Sequence, residues 1–391
     1  MTNTRRELLT FGAALAGSAV AGGAIDESQA ANAKAPAKGK NRMLVINALG
    51  GLENPNLALA RPQSDNPVGL ERIDMDDRAI ADARAAGLAA VNITLGYVGG
   101  KEEPFEETIR TIALWDDMLR ARAKDLLRVE KASDILRAQA ENRIGIIYGF
   151  QNAAQMGNDA SRVDTFAGLG VRVIQLTYNP ANQLGDGSMA PENRGLTPFG
   201  REVVARLNER RVMVDLSHSG ENTCLDAARA SAAPISINHT GCRALCDLPR
   251  NKTDAELRLV AAKGGFVGIY FMPFLKADSH PHAEDVVAHI EHALDVCGED
   301  CVGIGTDGDV TGIDDMNAYR GFIAKQIADR AAQGLGAKGE TPDTYPFVID
   351  LRGPDQFRKL TDMLRKRGHS EARIDKIMGR NFLRFATEVW G

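Results

Sequence analysis

Short aliphatic runs recur at fairly even intervals from residue 42 onward, and segments with helical periodicity separate most of them. The stretches TPFGREVVARLNERR and TDAELRLVAAKGG are examples of these intervening segments. Alternating β-like and α-like segments are typical of repeated βα units, which pair into a parallel sheet. There are eight such runs, which is the strand number of a (β/α)8 barrel. They span residues 42–49, 88–95, 144–150, 171–178, 212–218, 234–239, 265–271 and 301–307.

The placement of polar residues favours a (β/α)8 TIM barrel over the alternative, a doubly wound open sheet. A dinucleotide-binding open sheet would carry G-x-G-x-x-G after its first strand, and that motif is absent there. Polar residues gather instead at the carboxyl ends of many different runs, where a barrel places its chemistry. These residues are Asn47, Thr94, Gln151, Asn152, Tyr178, Asn179, His218, His239 and Asp307.

The segment after the eighth run is expected to close the barrel. A Gly-rich insertion at about 312–345 is followed by two amphipathic stretches, DQFRKLTDMLRKRG and SEARIDKIMGRNFLRFATEVW, which predict closing helices. The sequence therefore predicts one barrel domain over residues 42–391.

The first 41 residues differ in composition from the rest of the chain. An arginine pair, Arg5 and Arg6, precedes the mild apolar run FGAALAGSAVAGGA, and small-residue cleavage candidates follow it. This order predicts a twin-arginine-type signal peptide over residues 1–33, and the Ala/Lys-rich residues 34–41 are predicted to be a linker. The apolar run is too short and too rich in glycine to span a bilayer, so we expect a periplasmic mature protein with no membrane span.

The net charge indicates which partners are expected, and the cysteine count bears on disulfide bonds. A net charge of -5 without a long basic run argues against nucleic acid or an anionic membrane surface, so a small-molecule substrate is expected. Five cysteines would leave one thiol unpaired in an exported protein, and no disulfide can be assigned. The sequence leaves a homodimer open.

Two histidines and one aspartate form the constellation with most chemical meaning. His218 and His239 end consecutive predicted strands, so their imidazoles should converge at the barrel mouth as metal ligands. Asp307 ends the last strand and could accept a proton or orient a water molecule for hydrolysis. The alternative is that each histidine is a solitary residue bonded to a backbone carbonyl. Asp215 and Ser217 either orient His218 or face the surrounding helices.

Several long motifs resemble one enzyme family. The segments VDLSHSG, SINHTGCRALCDLPRN, GFVGIYFMPFL and VGIGTDGDV resemble, in this order and spacing, the renal or membrane dipeptidases, peptidase family M19. LTYNPANQLGDG and the closing MGRNFLRF extend the resemblance to roughly residues 42–390. It implies a (β/α)8 barrel of the metal-dependent amidohydrolase type that hydrolyses dipeptides or other small amides at a zinc pair.

The resemblance also assigns roles to individual residues. It implies that His218 and His239 bind the second metal ion and that Asp307 is the acid/base group. Arg250, in the PRN motif, would hold the carboxylate of the substrate.

The first metal site departs from the family pattern. Leu49 and Gly51 stand where the family has a His-x-Asp pair, and Gln151 stands at the carboxylate that bridges the metals. A neutral amide cannot supply the charge that holds two cations close together, so at most one zinc ion is expected. Glu53 and Asp309, near the rim in sequence, are candidates to replace the missing ligands.

Substrate contacts are expected to change as well. Tyr178 replaces a family histidine that contacts the substrate, and a phenol can donate a hydrogen bond but does not titrate like an imidazole. With Arg250, Asn179 and Gln151, it completes the set of predicted substrate-binding residues.

Three functions follow. The first is an exported dipeptidase-like hydrolase of a dipeptide or small amide, with no metal or one zinc ion at His218 and His239. The second is a metal-independent enzyme that carries out a proton transfer or lyase step on a peptide-derived metabolite. The third is a non-catalytic peptide-binding protein.

Overall fold

The computed structural model of the chain describes residues 43–61 and 73–391. The predicted signal peptide over residues 1–33 and the predicted linker over 34–41 lie outside the described residues.

Parallel strands pair in chain order around a barrel. The order is β1-β2-β4-β5-β6-β7-β8-β9, and every ladder is parallel. Backbone hydrogen bonds join the last strand to the first, from Ala48 N to Ile304 O at 3.0 Å and from Asp307 N to Leu49 O at 2.9 Å. The predicted TIM barrel is confirmed. The strands are β1 Val45–Asn47, β2 Leu88–Thr94, β3 Leu126–Val129, β4 Ile144–Phe150, β5 Val171–Gln175, β6 Met213–Asp215, β7 Ser236–Thr240, β8 Phe266–Ile269 and β9 Val302–Ile304.

One strand was not predicted. β3 pairs with the first half of β4, from Leu126 against Ile144 to Val129 against Ile147, and lies off the barrel path. It has four residues, one of them Arg128, so its apolar run is too short to stand out in the sequence. Seven of the eight predicted runs contain one of the barrel strands, and the eighth, 234–239, overlaps β7, which ends one residue later.

Helices fill the connections and start where the sequence signals them. Helix α6 follows Thr197, whose side chain accepts a hydrogen bond from Gly200 N, and α8 follows a capping box formed by Thr253 and Glu256. The helices are α1 Pro55–Leu59, α2 Asp77–Ala85, α3 Pro104–Ala121, α4 Ala132–Ala140, α5 Arg162–Gly168, α6 Pro198–Glu209, α7 Glu221–Ala230, α8 Asp254–Ala262, α9 Ala283–Cys297, α10 Met316–Ala332, α11 Gln356–Lys366, α12 Glu371–Asp375 and α13 Asn381–Trp390.

The closing segment differs from a single long helix. A π-helical turn, Lys376–Arg380, separates α12 from α13. A Cβ at Gly379 would clash with the carbonyl oxygen of Leu44, so glycine allows this turn to lie against the start of the first strand. The predicted insertion at 312–345 is not structureless, since α10 occupies half of it.

The apolar face of α13 covers the amino-terminal end of the barrel. Phe382 and Phe385 are buried and pack on Phe266 of β8, with ring centroids 5.2 and 6.1 Å away. The opposite, carboxyl-terminal end is therefore the open mouth on which the site residues meet. In the described part of the chain, no helix is long and apolar enough to cross a membrane.

Replacing Phe385 with alanine tests this closure. The change removes a fully buried ring, and a Phe→Ala cavity costs about 3–5 kcal/mol of the free energy of unfolding. Urea denaturation followed by circular dichroism measures the loss. Thr387→Ala, on the exposed side of the same helix, is the matched control. A Phe385→Ala variant as stable as this control would show that α13 does not hold the barrel closed.

Candidate active site

The predicted site residues meet at the mouth of the barrel. Gln151 directly follows β4, Tyr178 and Asn179 lie in the loop after β5, and His218 lies in the turn after β6. His239 is within β7, and Asp307 follows β9. The imidazole centroids of His218 and His239 are 4.9 Å apart, so the expected convergence is observed.

A buried carboxylate holds the two histidine-bearing turns in place. Asp215 Oδ1 accepts hydrogen bonds from Ser217 N and Asn238 N, both at 3.0 Å, and from the Ser217 hydroxyl. That hydroxyl accepts a bond from His239 N at 3.0 Å. Asp215 and Ser217 therefore orient the backbone of both histidines rather than the imidazole of His218. Burial raises the pKa of Asp215, and these hydrogen bonds oppose the rise.

His218 is neutral, and both of its ring nitrogens are engaged. Asn179 donates through Nδ2 to Leu335 O, so its Oδ1 faces His218 Nδ1 at 2.7 Å and accepts the proton there. Nε2 then accepts a hydrogen bond from Arg250 Nη2 at 3.1 Å. Burial and the nearby Arg250 charge hold the pKa of His218 well below its usual range. The ring of Tyr178 stacks on this imidazole at 4.3 Å.

Gln151 lies between His239 and Asp307. Its Nε2 is 3.4 Å from His239 Nε2 and 3.4 Å from Asp307 Oδ1, so the two amide hydrogens can serve both groups. Burial lowers the pKa of His239 well below its usual range, so that imidazole is neutral as well. The amide thus presents two donors where a bridging carboxylate would present acceptors.

The carboxyl group of Asp307 is partly exposed, and its pKa is shifted from the usual value. Its side chain is 24 % exposed, its φ is +57°, and the turn is fixed by reciprocal hydrogen bonds of 2.8 Å between Asn47 and Thr306. Burial raises its pKa to about 6, against the opposing charges of Arg250 and Arg330. The carboxylate is therefore mostly ionised at neutral pH yet basic enough to accept a proton.

The side chains at the mouth do not fit a zinc ion as they stand. His218 Nε2, the nitrogen left for a metal, is hydrogen-bonded to a guanidinium, and Gln151 directs its amide nitrogen at His239. Over residues 43–61 and 73–391, no three His, Cys, Asp or Glu side chains are arranged to hold a metal ion. Zinc normally takes three or four strong protein ligands. One ion at His218 and His239 stays a prediction that requires Arg250 to move.

The space beside Gly51, where the family resemblance implies a metal ligand, is occupied by the Asp309 side chain from the loop after β9. A Cβ at Gly51 would clash with Asp309 Oδ1, which accepts a hydrogen bond from Glu53 N at 2.8 Å. Burial and repulsion from Asp309 raise the pKa of Glu53, and burial raises that of Asp309. Leu49, the other altered ligand position, is buried. Glu53 and Asp309 therefore form a pair of neighbouring buried carboxyl groups with raised pKa values.

Arg250 is a buried residue in the wall of a cavity at the barrel mouth. Its Nη1 donates to Ser217 O at 2.7 Å, and only 1 % of the residue is exposed. It still lines a cavity of 220 Å³ together with Asp307, Gln151 and Tyr178. The predicted contact with a substrate carboxylate stays a prediction.

Arg330 was missed by the sequence reasoning. It belongs to α10, in the predicted variable insertion, and its Nη2 donates to Tyr178 Oη at 3.1 Å. The contact joins residues 152 positions apart, and α10 buries only Tyr319 and Ile323, so its sequence pattern is too weak to predict that it packs at the mouth. A larger cavity of 510 Å³ runs from Arg330 and Tyr178 to Glu53 and Asp309.

The raised pKa of Glu53 predicts a pH-dependent stability. Folded protein retains this proton up to about pH 8, whereas an unfolded glutamate releases it near 4.5, so the free energy of unfolding falls as pH rises between these values. Glu53→Gln should flatten this decline, which urea denaturation at pH 5 to 8.5 measures. The control is Glu102→Gln at an exposed position. Equal slopes in wild type and Glu53→Gln would contradict the assignment.

Comparisons with known proteins agree with this architecture. The family model "Membrane dipeptidase (Peptidase family M19)" matches residues 77–335, more than half of the chain. The crystal structure of an amidohydrolase from Pseudomonas aeruginosa is 31% identical, covers 89% of this chain and 97% of its own, and superposes with a TM-score of 0.73. The "uncharacterized protein in pqqA 5'region" of Klebsiella pneumoniae is 26% identical over 74% of this chain and 98% of its own.

Dipeptidase tcpJ of Claviceps purpurea is a further relative. It is 28% identical over 292 residues, which are 72% of this chain and 60% of the fungal protein. The motifs at the strand ends, the barrel fold and the family match all indicate the same family. The chain belongs to the membrane dipeptidase family, peptidase family M19, and is a dipeptidase-like hydrolase.

Proposed function

We propose that this protein hydrolyses a dipeptide or similar small amide, with Asp307 as the general base. The observation that carries the proposal is the position of Asp307. It is partly exposed to the cavity, held next to Gln151 and His239, and has a pKa of about 6. A base with a pKa just below the working pH is ionised and still able to take a proton.

The proposed reaction is a direct attack by water. Asp307 takes a proton from a water molecule while the water oxygen bonds to the carbonyl carbon of the amide. The C–N bond then breaks, and the proton passes from Asp307 to the departing nitrogen. The products are a carboxylic acid and an amine, which exchange the remaining proton to give a carboxylate and an ammonium group, and Asp307 returns to its ionised form.

The cavity walls favour a substrate with a carboxylate beside an apolar side chain. Arg250 and Arg330 supply the positive charge, and carboxylates pair well with guanidinium groups. Six further residues of this 220 Å³ cavity are apolar, Met272, Phe274, Ile323, Ile327, Ala337 and Pro346, and they are set among polar residues that include Asp307 and Glu340.

A metal-independent proton transfer or lyase step is the second candidate. The observation that favours it is the engagement of His218 Nε2 by Arg250, which leaves the site without the ligand set of a metallopeptidase. In that case, Asp307 would remove a proton from carbon instead of from water.

Activity against dipeptides tests the proposal. The purified protein is incubated with a panel of L,L and L,D dipeptides, with chelator and with added zinc. We expect cleavage that survives the chelator, with kcat/KM rising with pH through about 6 because the base must be ionised. Asp307→Asn should lower the rate by at least about 10²-fold. Asp314→Asn, an exposed aspartate outside the cavities, is the matched control.

Each other outcome favours a different reading. Zinc-stimulated cleavage that is lost in His218→Ala would support one zinc ion at His218 and His239. Turnover of another metabolite without dipeptide cleavage would support the second candidate. Binding of a peptide without turnover, unchanged in Asp307→Asn, would leave a non-catalytic peptide-binding protein.

Export through the twin-arginine pathway to the periplasm is also proposed, on the arginine pair and the apolar run that follows it. The full chain expressed in a Gram-negative host should appear in the periplasmic fraction in a shortened form, and Arg5→Lys with Arg6→Lys should retain it in the cytoplasm. Immunoblots of the fractions measure this, with Arg42→Lys as the control. Equal distribution of the double variant and wild type would contradict the proposal.

A homodimer stays a prediction that light scattering checks.

A further inference from the structure

The hydroxyl of Tyr178 lies between a fixed guanidinium and the cavity that contains Asp307. Arg330 Nη2 donates to Tyr178 Oη at 3.1 Å, and the Arg330 guanidinium carbon lies 5.8 Å from the centre of the Tyr178 ring. Both residues line the 220 Å³ cavity with Asp307 and Gln151. Because a guanidinium has no acceptor, the phenol proton is not used on Arg330 and is free for another partner.

Arg330 is held in this position from two further sides. It donates to Leu335 O at 3.3 Å, and Glu340 Oε1 lies 3.8 Å away. Leu335 O also accepts a hydrogen bond from Asn179 Nδ2 at 2.9 Å. The insertion that carries α10 is thereby tied to the loop after β5, which contains Tyr178 itself.

The ring of Tyr178 is fixed as firmly as its hydroxyl. It stacks on His218 with 24° between the ring planes, and only 5 % of the residue is exposed. His218 is in turn held by Asn179 and Arg250. The phenol group is therefore preorganised, as a donor that stabilises developing charge must be.

The N–H groups of two neighbouring side chains, His218 and Gln151, already face hydrogen-bond partners. The N–H of His218 goes to Asn179, and the two amide hydrogens of Gln151 face His239 and Asp307. His239 Nε2 lies 3.4 Å from the Gln151 amide nitrogen, and the buried His239 Nδ1 has no hydrogen-bond partner among the described residues. Attack on an amide places negative charge on the carbonyl oxygen, and this charge needs a donor.

We infer that Tyr178 donates its hydroxyl hydrogen bond to the reacting carbonyl oxygen and that Arg330 is the positioning residue that polarises this phenol. The inference rests on the proposed hydrolysis. No proton is transferred in this contact; the hydrogen bond shortens as the carbonyl oxygen becomes an oxyanion and relaxes when the C–N bond breaks. Helix α10 thus completes the active site from outside the barrel strands.

Two substitutions separate the roles of the pair. Tyr178→Phe should lower kcat on a cleaved dipeptide by about 10²–10³-fold, the usual loss for one oxyanion donor, with little change in KM. Tyr345→Phe, which removes a phenol outside the cavities, should not lower it. Arg330→Gln should also lower kcat, and Arg330→Lys should restore part of the loss because the positive charge is kept. Arg320→Gln, on an exposed part of α10, is the matched control.

Binding of a tetrahedral oxyanion analogue gives a second readout. A phosphinate analogue of L-alanyl-D-alanine is titrated calorimetrically into wild type and variants in the presence of chelator. Wild type should bind it, and Tyr178→Phe should bind at least about tenfold more weakly while retaining the wild-type melting temperature. A merely structural role would instead lower the melting temperature.

The outcomes distinguish failure of the proposed hydrolysis from failure of the role of Tyr178 or Arg330. Wild type that neither cleaves dipeptides nor binds the phosphinate overturns the proposed function and this inference together. Wild type that cleaves dipeptides while Tyr178→Phe keeps its kcat and its phosphinate affinity overturns only the role of Tyr178. A normal kcat in Arg330→Gln overturns the role of Arg330.

Discussion

The carboxylate of Asp215 is the group on which the mouth of the barrel depends. Strands β6 and β7 share a single register pair, so few ladder hydrogen bonds fix their ends. Asp215 supplies the missing order by accepting from Ser217 and Asn238, and the Ser217 hydroxyl extends the network to His239. Ser217 O also accepts from Arg250. One buried acceptor therefore places both histidines and the arginine, and its desolvation cost is offset by those hydrogen bonds.

On this scaffold, the chemistry of the site is decided by which groups donate and which accept. Gln151 presents hydrogens to His239 and Asp307, the two groups that would otherwise face a cation. Arg250 and Arg330 place fixed positive charge on the same cavity, and a guanidinium stays charged at any working pH. The cavity thus combines two guanidinium groups with the carboxyl groups of Asp307 and Glu340, which line it as well.

The sequence predicts the barrel well and the polarity of the site poorly. Each barrel strand lies in a short apolar run, which is a local signal, whereas the four residues of β3 and the π-helical turn before α13 are too short to produce one. Motif spacing also brings His218, His239 and Asp307 together correctly. The direction of the Gln151 hydrogen bonds, and the arrival of Arg330 at Tyr178, depend on contacts between distant parts of the chain that no local pattern encodes.

The surroundings of Gly51 show that the identity of one residue does not reveal whether a carboxyl group is present at that place in the fold. Gly51 lacks a carboxylate, and Asp309 of the opposite loop fills the space that its side chain would take. A carboxyl group is therefore present, but its Oδ1 accepts a hydrogen bond from Glu53 N, and burial raises the pKa of both Glu53 and Asp309. A protonated carboxyl is a poor ligand for a cation at neutral pH. This part of the mouth therefore has two neighbouring buried carboxyl groups with raised pKa values, Glu53 and Asp309, in place of the His-x-Asp pair of the family pattern.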